Sequence, residues 1–460
     1  MQDKKTPQID LRCALRLAAS TCPVVAFVGA GGKSSAMFRL AHELTATGRR
    51  VVVTTTTRIF EAQIRLSPAW LGQGALDQLG DLLAERGQVL VTGSSDGCGK
   101  ATGLDPAEVD RLAGRPDVDA VLVEADGSRM RPFKAPAAYE PVVPSSTTHL
   151  VPVVGADVLG HPLDEESVHR ADVIASLAGT PLGTSVTPEL VAAVLTHPQG
   201  GFKGRPAAAR VVPLVNKADL NLDGAIAIAR LLLQSPAIDE VVVGAVRAAD
   251  AGLRVYGRTA GVVLAAGQAT RFGRAKQLMP WGGSTLVGHV TQTALAAGLD
   301  PVLVVVGHEA ERVAAAVAHL PATIVANPAY AEGQSTSLRA GVGALLAQAS
   351  PASPGANAAL FLLADQPGVT PATIAVLQEA HRSSLAPIVM PRYHGQRGNP
   401  VLFDRALWPE LLAVTGDSGG RAVFNAHREA IVAVDFDTPE VVQDIDTVDE
   451  YEALRAALAP

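Results

Sequence analysis

The sequence predicts an α/β protein of two domains, each built on a mainly parallel sheet, and three observations predict it. Short apolar runs of strand length alternate with helix-length segments, which is the rhythm of parallel strands joined by crossover helices with both sheet faces covered. At 460 residues the chain is longer than one hydrophobic core sustains. Hydrophobic residues make up 48% but aromatics only 4%, so the cores are built from Ala, Val and Leu.

In chain order, the first half opens with the strand Val24–Val28, the turn Gly29-Ala-Gly-Gly-Lys33-Ser-Ser35 and a helix through Leu44. After Gly48 the strand Val51–Val53 ends in Thr54-Thr-Thr-Thr57, and further strands are expected at Val89–Val91, Ala120–Val123, Leu150–Val154, Val211–Val215 and Val241–Val243. Thr187-Pro188-Glu189 supplies an N-cap hydroxyl, a proline at the first helical position and an acid in the first turn, so Glu189–Leu195 reads as a helix. Asp250–Thr259 holds two glycines and no periodicity, which puts the boundary near Arg258 and the domains at 1–258 and 259–460. The second half repeats the rhythm at Val262–Leu264, Val302–Val306, Ala322–Val325, Leu360–Leu363 and Ile388–Met390, with a proline-rich loop at Ser350–Asn357.

Composition excludes several classes. A net charge of -7 gives no general attraction to nucleic acid or an anionic membrane, so phosphate binding must come from local sites. Cys13, Cys22 and Cys98 form no Cys-x-x-Cys pair and argue against a structural zinc site or a disulfide framework. Met1-Gln-Asp-Lys-Lys5 adjoins no apolar stretch of leader length, and the expectation is a cytoplasmic protein that binds neither membrane nor nucleic acid.

Leu264-Ala265-Ala266-Gly267-Gln-Ala-Thr-Arg271-Phe-Gly-Arg-Ala-Lys276-Gln-Leu278 follows the apolar run Gly261-Val262-Val263. A buried strand opening into a glycine-bearing loop with two cations offers bare N–H groups and positive charge to a polyphosphate. The loop lacks Gly-Lys-Ser/Thr and Gly-x-Gly-x-x-Gly, so it is neither of those phosphate fingerprints. Asp365 follows the strand Leu360–Leu363, at the carboxyl edge where ligands bind in open α/β sheets. Its hard oxygens suit Mg²⁺.

This loop, with Asn327-Pro-Ala-Tyr-Ala-Glu-Gly333, Gln334-Ser335-Thr-Ser-Leu338, Leu363-Ala-Asp365-Gln-Pro367, Gly398-Asn-Pro400 and Asp444-Ile-Asp446-Thr447, resembles the molybdenum cofactor nucleotidyltransferases, and the resemblance covers nearly all of 260–460. It implies a Rossmann-like nucleotidyltransferase domain in which Leu264, Ala265, Ala266, Gly267, Asn327 and Ser335 bind nucleotide. Arg271 would cradle the β/γ-phosphates, Lys276 would reach the α-phosphate, and Asp365 and Asp446 would face the metal. Leu-Ala-Ala-Gly and Asp-Gln-Pro are those of the cytidylyl branch, which implies CTP as substrate and the terminal phosphate of molybdopterin, the molybdenum cofactor's pterin, as acceptor, with a molybdenum hydroxylase as client. Asn399 stands where that branch often has histidine. Asp417-Ser-Gly-Gly-Arg421 reads as a loop, His308-Glu309 opens a helix, and His394 sits in a hairpin at the surface.

In the first half Gly29, Gly31, Gly32, Lys33 and Ser34 lie in a turn that follows a strand and opens a helix, which resembles a P-loop, shortened because Phe27 stands where its first glycine would be. The acids Glu124 and Asp126 end an apolar strand, where Mg²⁺ could be held. Asn216-Lys217-Ala-Asp219 resembles the guanine-reading motif of GTPases, so GTP, or ATP, is the expected ligand. With Thr54–Thr57, Lys134-Ala-Pro136 and Val168-His-Arg170, this half resembles the YqeC-like selenium-dependent hydroxylase accessory family. His161, Asp164, Glu165, Glu166 and His169 read as a solvated helix start.

The combined expectation is a cytidylyltransferase with a P-loop-like accessory module. Its rivals are a guanylyl or other sugar- or polyol-phosphate nucleotidyltransferase and a non-catalytic, GTP-switched cofactor carrier.

Overall fold

The computed structural model describes residues 9–17, 22–94, 100–248, 252–268, 272, 275–349, 355–415 and 420–458. Arg271, Cys98, most of Ser350–Asn357 and of Asp417–Arg421 therefore lie outside the described residues. The chain forms two compact units, Gln8–Tyr256 and Gly257–Pro460.

The first unit is built on a sheet of strands β1 (Val24–Gly29), β2 (Val51–Thr55), β3 (Trp70–Gly72), β4 (Gln88–Thr92), β5 (Ala120–Glu124), β6 (His149–Gly155), β7 (Arg210–Val211), β8 (Leu214–Asn216), β9 (Glu240–Val243) and β10 (Arg254–Gly257), in the spatial order β10-β9-β8-β6-β1-β5-β2-β4-β3 with β7 beside β6. β1 pairs in parallel with β5 on one side and β6 on the other. It is buried on both faces, so its carboxyl end opens between two neighbours into helix α1 (Lys33–Ala46). Val211–Val215 is not one strand: it breaks into β7 and β8 because Pro213 has no N–H to give the ladder. Helix α2 (Pro188–Thr196) starts as its sequence requires, with the Thr187 hydroxyl accepting from Leu190 N.

The second unit carries β11 (Thr259–Ala265), β12 (Val302–Val306), β13 (Thr323–Ala326), β14 (Ala358–Leu363), β15 (Ile388–Tyr393), β16 (Gln396–Arg397), β17 (Val401–Asp404) and β18 (Ile431–Phe436), ordered β13-β12-β11-β14-β17-β15-β16 with β18 beside β15. β13, β12, β11 and β14 are parallel, and β17 runs against both β14 and β15. Two apolar layers cover the sheet, one containing Val263, Val304 and Leu362, the other Val262, Val305 and Trp408. His394 is exposed in the β15–β16 turn, as its sequence suggests.

His161–His169 is a series of turns rather than a helix start. Asp164 accepts from Ser167 N, and Glu165 reaches forward to cap the helix that begins at Ala171. Among the described residues no group of three or more His, Cys, Asp or Glu is arranged to hold a metal ion, and no helix is long and apolar enough to cross a membrane.

Candidate functional sites

In the second unit, three residues from distant parts of the chain meet at the carboxyl edge of the sheet. Lys276 Nζ lies 2.7 Å from Asp365 Oδ2 and 3.1 Å from Asp446 Oδ1, and donates to Ile445 O at 2.5 Å. Asp365 is delivered by the end of β14 and linked to the second acid by the backbone bond from Ile445 N to Asp365 O. Asp446 is positioned by packing: Ile445 and Tyr451 are fully buried in a small cluster with Phe272, Met279, Trp281 and Leu286, and Tyr451 Oη donates to Pro280 O. Asp446 also precedes helix α3 (Val448–Leu458), whose Glu450 accepts from Asp446 N and Thr447 N. It is therefore both a helix-start residue and a member of the site.

Burial by itself would lower the Lys276 pKa, but Asp365 and Asp446 hold it above the usual lysine value. Burial, then the charges of Asp446 and Asp365, raise the Asp444 carboxyl. Asp444 thus belongs to this charge cluster, although in the sequence it stands only as a neighbour of Asp446 with no role of its own. The only signal was its place in Asp444-Ile-Asp446, where two acids alternate around a core residue.

Buried Gln277 ties down the end of β11 and the residues just after it: its Nε2 donates to Gly267 O at 2.7 Å and Ala265 O at 3.3 Å. Leu264 and Ala265 belong to β11, Ala266 O accepts from His308 N, and Gly267 has open space where a Cβ would stand. Asn327 turns inward: its Nδ2 donates to Thr336 Oγ1 and Ser337 Oγ, and its Oδ1 accepts from Ala329 N. That makes it a brace for helix α4 (Gln334–Gln348), a helix that sits before α3 in the chain, rather than an outward ligand. Ser335, in the first turn of α4, is fully buried and its hydroxyl has no hydrogen-bond partner among the described residues.

In the first unit, β1 runs into a loop whose amides are largely used internally. Gly29 N donates to Asp126 Oδ2, Ala30 N to Val153 O and Gly31 N to Arg131 O. What remains for an anion is the start of α1, from Gly32 to Ser34. Lys33 is buried, donates to Gly29 O at 2.6 Å, and pairs with Asp126 at 3.2 Å and Glu124 at 3.7 Å. Ser34 Oγ donates to Glu124 Oε2 at 2.7 Å. Asp126, expected as a metal ligand, has a different role: it is 2% exposed and serves as counter-ion to Lys33 and to Lys134, 3.0 Å away. Lys134 continues the chain of charges to Glu140 at 2.7 Å, and Glu140 to Arg170 at 2.8 Å. Burial alone would raise the Glu140 carboxyl, but Lys134 and Arg170 hold it below the usual glutamate value.

The Asn216 segment lies against this loop. Asn216 Nδ2 donates to Gly31 O at 2.7 Å and its Oδ1 accepts from Val246 N at 3.0 Å, so its amide joins three loops instead of presenting itself whole to a base. Lys217 adopts a left-handed backbone, φ 58°, and pairs with Asp157 at 2.6 Å. Asp219 is exposed beyond this turn.

Gly31 has no substitute. Its φ is +84°, and a Cβ would stand 2.1 Å from Gly155 N and 2.7 Å from Pro132 O, all rigid backbone. Gly31→Ala is expected to cost more than about 2 kcal/mol, read as a lowered urea midpoint for the first unit's unfolding; an unchanged midpoint would refute this packing.

Two histidines make the first unit acid-sensitive. Burial, with Arg210 nearby, pushes His149 down to about 4, and burial with Arg170, Lys134 and Arg129 pushes His169 down to about 4. Because the unfolded chain then takes up protons first, stability is full above an ordinary histidine pKa of about 6.5 and falls as the pH drops toward 4. The thermal midpoint should decline between these limits, and His149→Asn should flatten the slope. Identical slopes in variant and wild type would refute the assignment.

Fold and sites together define a protein with two α/β units, each presenting a glycine-bearing loop and paired acids at the carboxyl edge of a parallel sheet. Residues 25–172 match the YqeC protein family and residues 261–431 the MobA-like NTP transferase domain. The chain belongs to the YqeC family through its first unit and to the MobA-like NTP transferases through its second. Uncharacterized protein YqeC of Escherichia coli (strain K12) is 37% identical over 224 residues, 48% of this chain and 86% of that protein. The nicotine blue oxidoreductase of Paenarthrobacter nicotinovorans is 32% identical over 202 residues, 42% of this chain and 95% of that protein. Among solved structures, Rv0371c of Mycobacterium tuberculosis H37Rv is 31% identical, covering 43% of this chain and 98% of that chain at a TM-score of 0.37.

Proposed function

We propose that the second unit is a cytidylyltransferase that moves CMP from CTP to the terminal phosphate of molybdopterin, releasing pyrophosphate, and that the first unit is a nucleotide-binding module serving the same maturation of molybdenum hydroxylases. The observation that carries the first part is the convergence of Asp365 and Asp446 on the Lys276 ammonium. Two carboxylates around one cation at a sheet edge fit Mg²⁺, which is held by one or two carboxylates, keeps waters and takes phosphate oxygens as further ligands. When bound there, the ion would neutralise charge on the departing pyrophosphate.

The chain's own residues supply the rest. The Gly267 loop offers backbone N–H groups without a side chain in the way, and Lys276, held charged by its two acids, is drawn toward an incoming α-phosphate. Gln277 ties the carbonyl of Gly267 beside it. Ser335, buried and without a hydrogen-bond partner among the described residues, is suited to a polar group of the nucleotide. Ala266 and the Asp365-Gln-Pro367 sequence favour cytosine by resemblance to the cytidylyl branch.

For the first unit, the start of α1 with Lys33 and Ser34 would take phosphates, and Glu124 with Ser34 would hold Mg²⁺. Exposed Asp219 is an acceptor for the two N–H donors of guanine, which favours GTP over ATP.

The test is to incubate the full chain with molybdopterin, Mg²⁺ and each NTP separately and to follow pyrophosphate. Release with CTP is expected; equal or greater release with GTP would make the enzyme a guanylyltransferase. No pyrophosphate with any NTP would overturn the nucleotidyl-transfer reading.

A further inference from the structure

His289 touches both of the segments that carry Asp365 and Asp446. It stands in the first turn of the helix Leu286–Ala296, which is fixed at its start by the Thr285 hydroxyl accepting from Gly288 N. Its Nε2 lies 3.1 Å from Pro367 O, in the turn just after Asp365. A carbonyl only accepts, so the imidazole gives the proton. The ring packs beside Trp281, with centroids 6.2 Å apart, and Trp281 lies 6.1 Å from Tyr451, a buried residue of the cluster that also holds Ile445 next to Asp446.

We propose that His289 is a positioning residue for the carboxylate pair: its Nε2–H fixes the Asp365 turn, and its ring ties that turn to the cluster behind Asp446. This rests on the reading of Asp365 and Asp446 as the side chains that would hold a divalent ion. The Asp365 turn is held at three points. Ala364 N donates to Leu264 O, and Ile445 N to Asp365 O; both bonds join main chains and do not depend on which side chains stand there. The third bond, to Pro367 O, is made by a side chain, and it falls after Asp365 in the chain where the Ala364 bond falls before it. His289 thus closes the far end of the turn. Without it the turn keeps its two main-chain bonds, but Asp365 is free to shift relative to Lys276 and Asp446, which it now faces from 2.7 Å and across that cation. A Mg²⁺-sized ion demands near-octahedral geometry at about 2.0–2.1 Å, so a small displacement of one carboxylate is felt as lost affinity. Groups that orient a metal's ligands from behind carry roughly 10- to 100-fold of its affinity.

The experiment uses the full chain and Mn²⁺ alone as the probe, with free Mn²⁺ followed by its paramagnetic resonance signal, so that binding is read without turnover. Asp365→Ala marks the part of that binding that belongs to the second unit. His289→Phe keeps a ring beside Trp281 but has no N–H, whereas His289→Gln gives up the ring and keeps a donor that reaches as far as the imidazole Nε2. The expected result is Asp365-dependent Mn²⁺ binding weakened about tenfold in His289→Phe and restored in His289→Gln. Pyrophosphate release from CTP should need correspondingly more Mg²⁺ in His289→Phe, with the KM for CTP at saturating Mg²⁺ unchanged. Parent-like binding in His289→Phe, or binding as weak in His289→Gln as in His289→Phe, overturns the proposal and leaves the carboxylate pair standing. Equal Mn²⁺ binding by the parent and by Asp365→Ala overturns the carboxylate pair itself as the ion's holder.

Discussion

Replacing Asp365 by alanine is expected to abolish pyrophosphate release while leaving the second unit folded. The carboxylate is one of two that meet at Lys276, and on the proposed reading its loss would remove one of the two side chains that would hold the metal. Charge stabilisation of that kind is worth several kcal/mol, which corresponds to a rate loss on the order of 1000-fold or more. The fold should survive because Asp365 lies past the end of β14, with its side chain 24% exposed, and because Lys276 keeps Asp446 and Ile445 O as partners. Asp446→Asn should lower the rate less, since that side chain is 48% exposed and would still offer one oxygen. Steady-state rates with an unchanged circular dichroism spectrum and thermal midpoint are the readout. An Asp365→Ala protein that turns over at more than a tenth of the wild-type rate would remove the carboxylate pair from the mechanism.

The largest stability effect is expected at Lys134. Its ammonium is fully buried and shared between Asp126 and Glu140, and it also donates to Gly127 O. Lys134→Met fills a similar volume but leaves two carboxylates buried without their common cation. Breaking a buried pair by removing one partner costs about 3–5 kcal/mol, because an uncompensated charge stays in the interior. For a unit of this size that is a fall in thermal midpoint of roughly 10 °C. Adding Glu140→Gln should recover part of the loss, since the two residues are directly coupled. A midpoint within roughly 2 °C of wild type would mean that these charges find water on their own. The outcome bears on the phosphate loop too, since Asp126 holds Gly29 N with one oxygen and Lys33 with the other.

The sequence by itself determined the strand rhythm, the cap at Thr187, the loops after β1 and β11, and the acids at strand ends. Each is set by residues adjacent in the chain, such as a buried run that must stop or a proline that cannot donate. Val211–Val215 marks the limit of that reasoning, for the apolar pattern runs straight through Pro213 while the hydrogen-bond ladder does not. Only the tertiary structure decided which of the candidate residues stand together. Asp446 joins Lys276 because Ile445 and Tyr451 bury themselves against Trp281 and Phe272, contacts between segments far apart in sequence that no local pattern encodes. Likewise Asp126 and Asn216 carry the right chemistry for metal and base, but their oxygens and amide are taken up by Lys33, Lys134, Gly31 and Val246. A buried polar group must be satisfied by whatever the fold brings near it, and that is decided only when the sheet closes.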